Sequence, residues 1–177
     1  STAILLFCGV LQLFILGCYL AKFGARPRVL FEDMASVPGR AGISALTVGL
    51  FLLAAALLPW SSILARVVLF IALPIHCVTT VFALFIMART ENGLVVSPAW
   101  HLSFVGFIVA TLAAVPLGYL GLGKVILFGT ILAAAVIYGV SLLQMSKIEV
   151  AAPVRPLLAI HLAPLSLFAT VAGLLEM

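Results

Sequence analysis

Six apolar runs alternate with short polar or Pro/Gly-rich breaks along the chain, at residues 2–21, 42–59, 64–88, 101–120, 123–146 and 155–175. A helix rises about 1.5 Å per residue, so about 20 apolar residues cross a hydrocarbon layer near 30 Å thick. Lipid leaves no backbone amide or carbonyl without an internal partner, which makes each run a predicted helix. A membrane β-barrel would show short segments alternating between apolar and polar positions, whereas these runs are continuously apolar. The pattern predicts an all-α membrane protein, with six transmembrane helices arranged in hairpins within a single domain over residues 1–177.

The polar positions set an orientation. Three longer connections carry Lys22, Arg26, Arg28, Arg40, Arg89, Lys147 and Arg155, seven basic residues on one side. The opposite turns, at 60–63 and 121–122, are short and have only Arg66 and Lys124 beside them. Basic residues stay on the cytoplasmic side, so residue 1 is expected outside, which suggests one further helix upstream. Trp60 in one outer turn and Trp100 at the opposite end of the fourth run suit an aromatic belt. Ser97 and Pro98 are a candidate N-cap and first-turn proline for that run.

Composition narrows the class. Of 177 residues, 66% are hydrophobic and 8% charged, against about 25% charged in a soluble domain. The net charge of +4 is spread over short connections and makes no patch for a phosphate backbone, so no nucleic-acid partner is expected. Cys8, Cys18 and Cys77 lack zinc or disulfide spacing and read as small buried packing residues.

Membrane helices approach most closely along faces of small residues. The fourth run has Gly106, Ala110, Ala114 and Gly118 at four-residue spacing, the second opens with Ala41, Ala45 and Gly49, and the sixth carries Ala159, Ala163, Ser166, Ala169, Thr170 and Gly173. The expectation is that the second, fourth and sixth helices pack inward and the bulkier first and third face lipid or a neighbouring subunit. Pro74, Pro116 and Pro164 fall inside runs and are expected to kink them.

Chemistry-bearing residues are few. No Asp or Glu lies within a run, which disfavours a carboxylate proton relay or a cation path. His76, His101 and His161 read as lying at unmatched depths, so no haem or metal site is expected, with His76 in a hydrogen-bonded packing role and His161 a weak pore candidate. No nucleophile constellation, phosphate loop or metal motif occurs, so neither an enzyme nor a cofactor is expected.

Two stretches resemble the tellurite-resistance/C4-dicarboxylate transporter family, which includes bacterial tellurite-resistance channels and the plant slow anion channels. One begins Ser97-Pro98-Ala99-Trp100-His101-Leu102-Ser103-Phe104-Val105-Gly106 and runs to Val115-Pro116-Leu117-Gly118-Tyr119; the other is Pro153-Val154-Arg155-Pro156-Leu157-Leu158-Ala159-Ile160-His161-Leu162-Ala163-Pro164. Pro38-Gly39-Arg40 is a third, weaker match. The resemblance implies a ten-helix, five-hairpin channel fold, a homotrimer with a pore in each subunit, and a bacterial inner membrane setting. The six runs would correspond to the family's second through seventh helices, and the inward runs to its pore-lining third, fifth and seventh. The family's gating phenylalanine, on its ninth helix, has no counterpart among these runs.

The expected function is passive or gated permeation of small anions (inorganic anions, dicarboxylates or tellurite), with Ser103, Gly106, Ala110, Pro116, His161 and Pro164 as candidate pore-lining residues. The alternatives are a proton-coupled dicarboxylate carrier and a non-transporting membrane scaffold subunit.

Overall fold

Apolar sequence without internal carboxylates becomes long helix here, and its punctuation sets where each helix stops. The structure, a computed structural model, describes residues 2–89, 96–145 and 159–176. Among the described residues there is no strand. Helix α1 spans Thr2–Ala25, with Lys22 in its last turn, where a cation complements the helix dipole. It ends short of Pro27, which disfavours helical backbone in the residue before it.

A short helix, α2 (Val29–Ala35), occupies part of the connection that the sequence pattern left polar. It buries Val29 and Met34. Ion pairs Lys22–Asp33 (3.0 Å) and Arg26–Glu32 (2.6 Å) tie it to the end of α1. Both pairs are solvent-exposed and contribute at most about 1 kcal/mol each. Helix α3 (Val37–Leu57) starts earlier than residue 42 because Ser36 caps it: its Oγ accepts from the Gly39 amide at 3.1 Å, and Pro38 occupies the first turn. A side chain at Gly39 would collide with the Asp33 carbonyl, so this glycine permits the tight α2–α3 corner.

Helix α4 (Ser62–Arg89) contains Pro74 and makes its most extensive pairing with α3. Ala65, Leu69, Ala72, His76, Ala83 and Met87 form one buried stripe on it. The third run therefore does not simply face lipid; its inner face is half of the central helix pair. In a membrane such pairing rests on close packing and hydrogen bonds, since lipid is as apolar as the helix surface.

The fourth run is not a single α-helix ending at residue 120. A π-helical turn (His101–Val105) passes into a 3₁₀ turn (Gly106–Ala110) and a last α-helical turn, α5 (Thr111–Ala114). It closes on a glycine stop: the Tyr119 amide reaches the Ala114 carbonyl at 2.9 Å, the Gly118 amide reaches the Val115 carbonyl at 2.9 Å, and Gly118 has φ +89°. This pairing is the Schellman arrangement, which favours glycine at its left-handed position. Pro116 lies in that turn and is exposed. It helps end the segment instead of kinking a span.

Helix α6 (Leu120–Met145) follows at once. Helix α7 (Ala163–Leu174) is preceded by a 3₁₀ turn at 159–162 and carries Pro164 in its first turn. That position needs no amide donor, so Pro164 starts a helix and does not bend one. The expected beginning of the sixth run, residues 155–158, lies outside the described residues, as does the first half of the second family-like stretch, residues 153–158.

Among the described residues, four helices are long and apolar enough to cross a membrane: Ile4–Ala25, Val37–Leu57, Ser62–Arg89 and Leu120–Gln144. They mark the chain as an integral membrane protein. The segments His101–Ala114 and Ala159–Leu174 are apolar but shorter. The main core gathers Phe51, Leu69, Val105, Ile108, Leu127 and Val171 from α3, α4, the fourth segment, α6 and α7. α1 stays outside it, with no buried residue in its most apolar stretch. α7 buries Pro164 and Val171, whereas Ala159, Ala163, Ser166, Ala169, Thr170 and Gly173 are exposed. The small face of the sixth run therefore points away from this chain's core, contrary to the inward packing its composition suggested. Cys8, Cys18 and Cys77 are exposed on helix surfaces and are not buried packing residues.

Candidate functional site

The apolar core contains a connected set of polar side chains. Ser44 and Thr47 lie one turn apart on α3, and His76 and Thr80 lie one turn apart on α4. Ser103 lies in the π turn. Ser44 Oγ and Ser103 Oγ are 2.7 Å apart, and Thr47 Oγ1 is 2.6 Å from His76 Nδ1 and 2.9 Å from the Ser44 carbonyl. Thr80 Oγ1 donates to the Ser103 carbonyl at 2.8 Å. Residues Ser44, Thr47, His76 and Ser103 are each at most 5% exposed.

The backbone break has a physical cause at this point. Widening a helix to π geometry displaces carbonyls from the regular ladder, and the Thr80 hydroxyl takes up the one at Ser103. Gly106 lets the segment approach α3 and α4, because a Cβ there would lie 2.6 Å from Val48 Cγ2 and 3.2 Å from His76 Nε2. The imidazole is held edge-on between Phe51 and Phe107, with centroid distances of 5.3 Å and 4.4 Å.

Thr47 has one hydroxyl proton and two acceptors within reach. If it donates to the Ser44 carbonyl, His76 must donate from Nδ1; if it donates to His76 Nδ1, the proton of a neutral ring sits on Nε2. Nε2 has no hydrogen-bond partner. An unmatched buried ring nitrogen is costly in a fold of this kind, and it stands beside the fourth segment where the backbone changes form.

A second polar cluster lies nearer the end of the bundle. His101 Nε2 and His161 Nδ1 are 2.9 Å apart, joining the fourth segment to the turn that leads into α7. The two rings meet nearly at right angles, 83° between planes. The Tyr138 hydroxyl, from α6, donates to the His161 carbonyl, and its ring lies 4.8 Å from that of His101. The sequence reading that placed these two histidines at unmatched depths is thus corrected. The 3₁₀ turn before α7 brings His161 to the level of His101, and no spacing within either segment alone reveals that.

The candidate residues divide accordingly. Ser103, Gly106 and Ala110 are buried together against α3, α4 and α6. His161 is half-buried against His101, Pro164 is buried at the start of α7, and Pro116 is exposed in the turn before α6. Two apolar grooves lie elsewhere. One of about 470 Å³ runs between α1 and α3 beside Gln12 and Gly49, and one of about 330 Å³ lies beside Trp100, Phe104 and Gly129. Neither is lined by the six candidates. His76 has the hydrogen-bonded role expected of it, but Ser97 Oγ has no partner and does not cap the fourth segment. Ser44 and Thr47 were missed by sequence reasoning. Their signal was available as two hydroxyls on the inner face of an otherwise apolar helix.

Among the described residues no group of three or more His, Cys, Asp or Glu side chains could hold a metal ion. The clusters offer hydroxyl and imidazole donors and no carboxylate. No protein-family model, curated protein or solved structure matches this chain.

Proposed function

We propose that this chain forms the conducting part of a membrane anion channel or transporter, through which small anions pass by gated, passive permeation. The observation that carries this reading is the buried line of Ser44, Thr47, His76 and Ser103 between α3, α4 and the fourth segment. Polar groups inside a membrane bundle are costly and mark paths for solutes. These groups donate hydrogen bonds and include no carboxylate, which suits an anion. The basic residues near one end of the bundle raise the local anion concentration there.

In the packed arrangement Val48 and His76 fill the space opposite Gly106. Conduction therefore needs the fourth segment to shift, and its π-to-3₁₀ break is the place where it can bend. The resemblance to the tellurite-resistance/C4-dicarboxylate transporter family supports the same reading. It extends it to six spans, with the two shorter apolar segments crossing alongside the four long helices, in a bacterial inner membrane. It also extends it to a homotrimer. The exposed apolar surface of α1 and the exposed small face of α7 leave area for lipid and neighbouring subunits.

The test is anion flux into liposomes carrying the purified protein. Chloride or nitrate efflux exceeding that of protein-free vesicles, and slowed by Ser103→Leu, is the expected result. Cation selectivity, or no flux, overturns the proposal. Flux that requires a proton gradient replaces the channel with a coupled carrier.

A further inference from the structure

The His101–His161 contact joins two segments far apart in sequence through a single hydrogen bond between two titratable rings. A neutral pair shares one N–H···N bond, and a pair carrying one extra proton keeps a donor facing an acceptor. A second proton leaves two N–H groups and two positive charges where the nitrogens are 2.9 Å apart, and such an arrangement is repulsive.

Nothing else among the described residues would offset that charge. From α6 the cluster meets Tyr138, whose hydroxyl is committed to the His161 carbonyl, while Lys124 lies at the opposite end of that helix. On α3, Arg40 is turned to the Met34 and Ala35 carbonyls. On α4, Arg89 sits over the Phe85 ring, 4.0 Å from its centroid, and His76 bonds Thr47. Glu32 and Asp33 are paired with Arg26 and Lys22, and Glu176 lies at the far end of α7. His101 is 3% exposed, and its Nδ1 has no hydrogen-bond partner, so beyond the face of the Tyr138 ring that imidazole has no second hydrogen bond to spread the charge.

We propose that the His101–His161 pair is a proton-binding latch, holding the fourth segment to the α7 turn when at most singly protonated and releasing it on double protonation. The release frees the same segment whose movement opens the anion path, so the consequence for flux rests on the function proposed above. The latch itself does not. Acidification on the side bearing the histidines unlocks the segment and places positive charge beside the path.

Two measurements separate the latch from the channel. The first is histidine nitrogen magnetic resonance on the wild-type protein in bilayers, following the coupling across the His101–His161 hydrogen bond from about pH 8 to about pH 4, the range in which imidazoles charge. A coupling present at the alkaline end and lost on acidification supports the latch. Its absence at the alkaline end, or its persistence to the acid end, overturns it. The second is flux into liposomes. Wild-type flux is expected to rise about threefold or more on acidification, as positive charge gathers beside the path, with the rise abolished in His161→Asn. A rise equal in wild type and His161→Asn overturns the latch as the control of flux. If no vesicle conducts at any pH, the anion-channel reading fails and the resonance result alone decides the latch.

Discussion

Gly106 stands so close to His76 that a methyl group in its place would lie 3.2 Å from the imidazole Nε2 and 2.6 Å from Val48 Cγ2. The fourth segment reaches the α3–α4 pair only because this residue lacks a side chain. Gly106→Ala should therefore overpack the interface and destabilise the protein by about 1–3 kcal/mol. Thermal unfolding in detergent would show a lowered Tm. Gly129→Ala, where an added Cβ meets nothing within 4 Å, should leave Tm unchanged or slightly raised; an equal loss in both variants would refute the packing argument.

Thr47 and His76 form a buried couple at 2.6 Å. Thr47→Val keeps the shape and removes the hydroxyl, leaving a second ring nitrogen without a partner at a cost of about 1–3 kcal/mol. Replacing both, as Thr47→Val with His76→Leu, should cost less than the sum of the single changes, because neither variant group then requires the other. Additive losses in a double-mutant cycle would mean that the two side chains are not coupled.

Gly118 has φ +89° with open space around it, so its role is conformational. Gly118→Ala should cost about 1–2 kcal/mol through the left-handed backbone alone. Gly118→Asn should recover part of the loss, since Asn tolerates that region. Denaturation midpoints for the three proteins check the order Gly, Asn, Ala.

Arg40, 6% exposed, donates from Nη1 to the Met34 and Ala35 carbonyls at 2.9 Å and 3.2 Å. It thereby closes the C-terminal end of α2 from the start of α3. Arg40→Met keeps most of the apolar stem and loses the donor, so α2 should fray while the long helices stay intact. Hydrogen exchange at the amides of Val29–Ala35 should accelerate by about tenfold, equivalent to about 1.4 kcal/mol. Unchanged protection there would show that the ion pairs to α1 suffice.

The membrane character and the long helices were legible because they depend on local quantities. Runs of Leu, Ile, Val and Phe without carboxylates state their solvent residue by residue, and α1, α3, α4 and α6 follow the predicted runs closely. Helix α2 was missed because a seven-residue amphipathic turn lies below the length at which periodicity is informative. The proline readings erred for a related reason. Pro116 and Pro164 looked internal because apolar sequence continues on both sides of them, whereas one lies in a glycine-terminated turn and the other in a first turn.

By itself, then, the sequence determined the solvent, the helical class and the scarcity of charged groups available for chemistry, since each is set by side-chain transfer energies and local backbone bonding. Only the tertiary structure decided that Ser44 meets Ser103, that His101 meets His161, and that the small face of α7 turns outward. Those relations depend on how the rotation and depth of separate helices are matched. In a membrane that match is set by close packing and by the need to pair each buried polar atom, neither of which leaves a period in the chain.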